Sequence, residues 1–142
     1  MIMIKVEMER VDGDYGFRGT DAAGHEVLFD TSIEHGGTNF GIRPMQSLLF
    51  ALGSCSAIDI VSILKKQKQT ISSFRIKIEG EREDAKPISL WKTINVVFEF
   101  GGDVHEEKAK KACALSVEKY CSVAETLRRA GAQINWTSQV NH

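Results

Sequence analysis

The strongest constraint on this chain is a long helix with almost no polar side. Pro44 predicts its start, because proline is well tolerated at the first helical position. Apolar side chains then point in nearly every direction, and from Ala57 to Leu64 only Asp59 and Ser62 are polar. A helix that is apolar all round is buried all round or lies in a membrane. Three features favour a core helix of a soluble protein. The helix contains Asp59, it ends in the polar segment Lys65 to Gln69, and its apolar run is shorter than the ~20 residues of a membrane span.

Length and composition set the broad class. The chain has 142 residues, which fits one domain covering residues 1–142, and 42% hydrophobic residues are enough for a core. The formal net charge of −1 gives no electrostatic reason to expect nucleic-acid binding. The alternating N-terminal sequence does not resemble a signal peptide, so we expect a cytoplasmic protein that does not bind a membrane.

Short strands with one polar face are predicted before the apolar helix. Alternating apolar and polar residues, separated by turn signals, predict an antiparallel meander with strands near residues 2–9, 15–19 and 26–30. The glycine-rich segment 32–41 predicts a loop that leads into the helix.

After that helix, the alternation returns over residues 72–83 and 90–100, which predicts a hairpin. A continuous helix is expected from about His105 to Ala130, because its apolar residues form one stripe. A last strand is expected over residues 133–140. The predicted fold class is α+β, with two antiparallel three-stranded sheets around two long central helices.

The cysteines give no sign of a metal centre or of structural disulfides. There are three, Cys55, Cys113 and Cys121, and a reducing cytoplasm would keep them as thiols. The chain has no Cys-x-x-Cys motif and no spaced histidine pair, and its four histidines are scattered, including His142 at the end. We therefore predict no metal site and no cofactor.

Cys55 and Cys121 are both predicted to face the interior. Cys55 lies in the middle of the apolar helix among small neighbours, and Cys121 lies on the apolar stripe of the second helix. Two inward-facing helices can bring these thiols close together. A buried free cysteine is also often just a small apolar side chain without chemistry. From the helix pattern alone, both interpretations remain open.

The segments RPMQSLLFALGSCSAIDIV and VEKYCSVAETL resemble the two cysteine motifs of the OsmC/Ohr family of thiol-dependent hydroperoxide reductases and their relatives. Cys55 matches the first motif cysteine and Cys121 the second. The order of the predicted elements is also similar, so the resemblance covers nearly the whole chain. It implies an OsmC/Ohr-like fold and an intertwined homodimer, with active sites built from both subunits and a partner subunit covering the apolar helix.

The same resemblance implies a reaction. The Cys55 thiolate would attack a small-molecule hydroperoxide and become a sulfenic acid, which Cys121 would convert to a disulfide. An external thiol reductant would then restore both thiols. The alternative is a non-catalytic OsmC-like dimer that binds a small apolar ligand at the subunit interface.

The chain departs from the family pattern at one position. The peroxidases hold a thiolate-activating arginine with a glutamate ten residues before the first cysteine, and here that position is Met45, followed by Gln46. We expect both residues to line the substrate pocket. Arg43 and Arg18 are the candidates for the activating cation, although each can equally be an ordinary surface residue.

Two further residues lie one or two helical turns from the motif cysteines. Asp59 follows Cys55 by one turn and can share its face, where it would orient a cation or polar ligand, or simply pair with an arginine or a hydroxyl. Cys113 precedes Cys121 by two turns on nearly the same face. It is either an alternative resolving thiol or a core residue.

Overall fold

The computed structural model describes residues 2–141, in two compact units formed by residues 2–48 and 49–141. His142, one of the scattered histidines of the sequence analysis, lies outside the described residues. The predicted α+β architecture with two three-stranded sheets and helices is confirmed.

The first unit contains the predicted antiparallel meander. Its strands are β1 (Val6–Asp12), β2 (Gly16–Asp21) and β3 (Glu26–Phe29), with β2 in the centre. Strand β1 begins later than predicted, because β2 ends at Asp21, directly opposite Val6. Residues 2–5 therefore have no ladder partner among the described residues of this unit.

The loop after β3 is organised around Asp30, which is only 3% exposed. Its carboxylate accepts hydrogen bonds from the backbone N–H groups of Thr31 at 2.8 Å, Thr38 at 2.8 Å and Phe40 at 3.1 Å. The chain passes so close to itself that a Cβ on Gly37 would lie 2.1 Å from the Thr31 carbonyl oxygen. A loop predicted only from its glycines is thus held by one carboxylate.

The second sheet contains β4 (Thr70–Arg82), β5 (Trp91–Asp103) and β6 (Gln133–Asn141), with β5 in the centre. The hairpin of β4 and β5 is antiparallel, as predicted. Strand β6, however, pairs with β5 in parallel, so the prediction of a purely antiparallel second sheet was wrong. The reason is that β6 follows a helical crossover, which returns the chain in the direction of β5.

The predicted helix 105–130 is interrupted at the second motif cysteine. It consists of α2 (Glu106–Leu115), a π-helical turn (Ser116–Tyr120) and α3 (Ser122–Arg129). Cys121 lies between them with an extended backbone, at φ −75° and ψ 106°. The prediction of one continuous helix was therefore wrong at this residue, where a new helix begins.

Helix α1 (Pro44–Lys66) is the predicted apolar helix, but the chain covers only part of it. Leu52, Ile60 and Leu64 are fully buried, together with apolar residues of β5, whereas Phe50 is 59% and Ile58 68% exposed. By length and composition alone α1 could cross a membrane, a test that the core helix of a soluble protein also passes. The sequence predicts a helix that is buried on all sides, but the single chain buries only one face of α1.

Candidate active site

The second unit brings Cys55 and Cys121 together. Cys55 lies in the middle of α1 and is half-buried, and Cys121 lies at the start of α3 and is 2% exposed. The two thiols are close enough for the Cys55 side chain to act on Cys121 by hydrogen bonding and charge. Cys55 is the more exposed residue of the pair.

The Cys121 sulfur accepts two hydrogen bonds from groups on different helices. The Ser56 hydroxyl donates to it from α1 at 3.5 Å, and the Ala124 backbone N–H donates from the first turn of α3 at 3.4 Å. Cys121 therefore takes the N-cap position of α3, where Ser, Thr, Asp or Asn is usual. The thiol satisfies an N–H group that the helix itself leaves unpaired.

Burial raises the pKa of the Cys121 thiol, because a thiolate is disfavoured away from water. The hydrogen bonds from Ser56 and Ala124 act in the opposite direction and lower that pKa, while the neighbouring Cys55 raises it again. The net pKa lies above its ordinary value, so the resting Cys121 is a protonated thiol at neutral pH. The hydrogen bonds from Ser56 and Ala124 become stronger when the Cys121 sulfur carries a negative charge.

Asp59 is connected to the π-helical turn through a hydroxyl. The buried Ser116 donates from its Oγ to the Ser56 carbonyl oxygen at 3.0 Å, and the same Oγ lies 3.3 Å from Asp59 Oδ2. The sequence analysis offered an arginine or a hydroxyl as the partner of Asp59, and in the structure the nearby group is the Ser116 hydroxyl. Ser116 joins α1 to the turn that precedes Cys121, and this link fixes the position of the second cysteine relative to the first.

Cys113 lies in the core and has a different environment from the pair. It is fully buried among apolar residues, and burial raises the pKa of its thiol to about 12. At neutral pH it is therefore protonated and a poor nucleophile. These properties favour the interpretation of Cys113 as a core residue.

The remaining predicted residues belong to the first unit, where each arginine has partners of its own. Arg43 donates from Nη1 to the Gly41 carbonyl oxygen at 2.7 Å. Arg18 forms ion pairs with Glu9 at 3.5 Å and Glu26 at 3.7 Å. Their assignment as activating cations stays a prediction.

Met45 and Gln46 lie in the first turn of α1, Met45 half-buried and Gln46 exposed. The side-chain oxygen of Gln46 lies 3.4 Å from the Arg43 backbone N–H, which donates to it. A pocket role for both residues stays a prediction.

The sequence analysis did not identify Ser56 and Ser116 as functional candidates. A serine next to a motif cysteine in an otherwise apolar helix is a signal that points to Ser56. Ser116 has no such signal, because its contact depends on the π-helical turn. Among residues 2–141, no group of three or more His, Cys, Asp or Glu side chains is arranged to hold a metal ion.

Comparison with known proteins assigns the chain to a family. A family model described as "OsmC-like protein" matches residues 35–137. The chain belongs to the OsmC-like family. It is 39% identical to Protein YhfA of Escherichia coli over 115 residues, which cover 80% of this chain and 82% of YhfA.

Two solved structures share the OsmC-like fold over the whole chain. A hypothetical protein from Aquifex aeolicus is 29% identical, with a TM-score of 0.81 and full coverage of both chains. An organic hydroperoxide resistance protein from Legionella pneumophila is 14% identical, with a TM-score of 0.69 and coverage of 100% of this chain and 98% of that chain. The second similarity is one of fold.

Proposed function

We propose that this OsmC-like protein is a thiol-dependent hydroperoxide reductase, with Cys55 as the peroxide-reacting thiol and Cys121 as the resolving thiol. The observation that carries the proposal is the proximity of the two thiols, with Cys121 held by donors from two helices. The fold shared with an organic hydroperoxide resistance protein supports the substrate class.

Cys55 takes the first step because it is the accessible thiol. Its thiolate attacks one oxygen of the O–O bond, and the other oxygen leaves and takes up a proton as an alcohol, or as water when the substrate is hydrogen peroxide. The product is a Cys55 sulfenic acid. The thiolate requires a nearby positive charge, which we assign to Arg43 or Arg18.

Cys121 then attacks the oxidised sulfur of Cys55. The Cys55–Cys121 disulfide forms, and the sulfenic oxygen leaves with two protons as water. Two equivalents of an external thiol reduce the disulfide and are themselves joined as a disulfide. No prosthetic group is required, since every electron passes between sulfur and oxygen.

We further propose a soluble, cytoplasmic homodimer. The exposed part of α1 presents Phe50 and Ile58 to water in the single chain, at 59% and 68% exposure. Burial of such side chains is favourable by roughly 25 cal/mol per Å² of apolar surface. A second copy of the chain would cover them and complete the burial that the sequence predicts.

The alternative proposal is an OsmC-like dimer that binds a small apolar ligand without chemistry. Two adjacent apolar grooves on the sheet of the first unit favour it, and they share Met8 and Phe29 in their lining. This candidate explains the closeness of the two thiols by packing alone. It predicts that hydroperoxides do not oxidise the protein at a useful rate.

The deciding experiment follows consumption of an alkyl hydroperoxide with dithiothreitol as the reductant. We expect steady turnover by the wild type, less than about 1% of that rate with Cys55→Ser, and a large decrease with Cys121→Ser. Cys113→Ala is the control and retains turnover. Equal rates for the wild type and Cys55→Ser would refute the peroxidase and favour the ligand-binding alternative.

A further inference from the structure

We propose that Ser56 is a positioning residue for the second half of the thiol cycle: its hydroxyl holds Cys121 as the leaving thiolate when an external thiol attacks Cys55. This inference rests on the proposed function, and it assigns a role to a residue outside the two cysteine positions. It also gives the order of the reduction step: the external thiol attacks Cys55, and the electron pair of the broken disulfide bond passes to Cys121.

The geometry around the two sulfur atoms is unequal. Cys121 is 2% exposed and accepts from both the Ser56 hydroxyl at 3.5 Å and the Ala124 N–H at 3.4 Å. Cys55 is half-buried and therefore offers the sulfur that an external thiol reaches first. The hydrogen-bond donors therefore surround Cys121, whereas an external thiol can approach Cys55.

Thiol–disulfide exchange depends on which sulfur is attacked and on how well the other one leaves. An external thiolate attacks Cys55 Sγ, the bond between the two cysteine sulfurs breaks, and its electron pair remains on Cys121. A second external thiol then attacks the external sulfur of the mixed disulfide. Cys55 leaves as a thiolate, and the two external thiols end as one disulfide.

The position of Ser56 is itself held by burial and by a hydrogen bond to its backbone. Its residue is 1% exposed, and its carbonyl oxygen accepts from Ser116 Oγ at 3.0 Å, so the backbone that carries the hydroxyl is tied to the π-helical turn next to Cys121. The hydroxyl lowers the pKa of Cys121 against the larger effect of burial. A donor that stabilises the thiolate makes it the better leaving group.

Ser54 provides a matched control on the other side of Cys55. Its hydroxyl donates to the carbonyl oxygens of Phe50 at 3.0 Å and Ala51 at 3.2 Å, within the same helix, and its side chain is exposed. Ser54→Ala therefore removes a hydroxyl beside the same cysteine without changing the donors to Cys121.

The test uses full-length protein with Cys113→Ala, oxidised by diamide to the Cys55–Cys121 disulfide and then reduced with dithiothreitol. We expect Ser56→Ala to slow reduction on the order of fivefold, because one hydrogen bond to the leaving thiolate is lost. Ser54→Ala keeps the parent rate within about twofold, and Ser56→Thr, which retains the hydroxyl, restores most of the rate.

A second measurement follows the thiolate of Cys121 by its ultraviolet absorbance in a Cys55→Ser, Cys113→Ala background. We expect Ser56→Ala to move the titration of Cys121 to higher pH, and Ser54→Ala to leave it in place. Unchanged titration together with an unchanged reduction rate for Ser56→Ala would overturn the inference. An equal loss of rate with Ser54→Ala would also overturn it.

The two proposals fail in different ways. If the wild type consumes no hydroperoxide, the peroxidase fails, while the diamide and titration experiments still report on Ser56. If the wild type turns over and Ser56→Ala has parental reduction and titration, the peroxidase stands and the role of Ser56 is refuted.

Discussion

Cys113 shows at the residue scale how burial in an apolar core raises the pKa of a thiol. The pKa of its thiol is raised to about 12 in the folded chain from an ordinary 9.0, so the protonated form is favoured by folding. This stabilisation is fully present below the unfolded pKa and is lost as the pH rises toward the folded value. The same burial makes Cys113 a poor nucleophile at neutral pH.

The consequence is measurable by urea unfolding. Between about pH 8 and about pH 10.5, we expect the wild type to lose roughly 2 kcal/mol of unfolding free energy that Cys113→Ala does not lose. The wild-type-minus-variant difference removes the contribution of other groups that titrate in this range. A pH-independent difference would show that Cys113 does not titrate as a buried thiol.

The sequence could predict some residues of the site and not others. The two cysteines followed from their motifs and from the apolar helix around Cys55. The donors to Cys121 did not follow, because the Ser56 contact requires the actual distance between α1 and α3. Ser116 reaches Asp59 only because the π-helical turn directs it there.

At the scale of elements, a partly buried hydrogen bond connects the π-helical turn to α3. Arg128 donates from Nη1 to the Val117 carbonyl oxygen at 2.7 Å, and its side chain is 31% exposed. Arg129 pairs with the same Glu125 as Arg128, but its side chain is 80% exposed. The two neighbouring arginines thus share Glu125 but differ in exposure and in the contact with the turn.

Arg128→Gln should therefore destabilise the chain by about 1–2 kcal/mol, and Arg129→Gln by about 0.5 kcal/mol or less. Chemical unfolding measures both values. Arg128→Gln should also slow formation of the Cys55–Cys121 disulfide, because Cys121 follows the turn directly. Similar free energies for the two variants would contradict a special role of the Val117 contact.

The loop 31–41 depends on the ionised form of Asp30. The backbone N–H groups of Phe40, Thr38 and Thr31 hold the pKa of this carboxyl below its usual 3.8. A depressed pKa contributes stability above the unfolded value, and this stability is lost as the pH falls through the folded value.

We expect Asp30→Asn to lower the melting temperature at neutral pH, because its amide NH₂ group would face backbone donors. The difference from the wild type should shrink as the pH falls below about 4. Thermal unfolding between about pH 3 and pH 7 tests this, with the exposed Asp14→Asn as the control. A difference that does not change with pH would exclude the carboxylate as the cause.

Two features of the elements were not predicted from the sequence: the direction of β6 and the break in the second helix. Alternation identified the strands, but it contains no information on direction, so the parallel pairing of β6 was not predicted. The apolar stripe of the second helix continues through Val117, Cys121, Ala124 and Leu127, all of which are buried. A stripe that remains buried across the break conceals the π-helical turn from a periodicity argument.

At the scale of the whole molecule, the apolar exposed face of α1 predicts self-association. Ile58→Asp should convert a dimer to a monomer at micromolar concentration, because the new carboxylate would lose its water in the interface. Ile88→Asp is the matched control, since Ile88 is 71% exposed and lies in the β4–β5 connection. Sedimentation velocity distinguishes the outcomes, and a monomeric wild type would contradict the proposed assembly.

The most direct test of the thiol cycle is to map the disulfide formed by one equivalent of an alkyl hydroperoxide. The protein is alkylated in denaturant, digested without reduction and analysed by mass spectrometry. The proposed function predicts an intrachain link between Cys55 and Cys121, with Cys113 alkylated as a free thiol. Recovery of Cys55 and Cys121 as free thiols, or a link that includes Cys113, would contradict it.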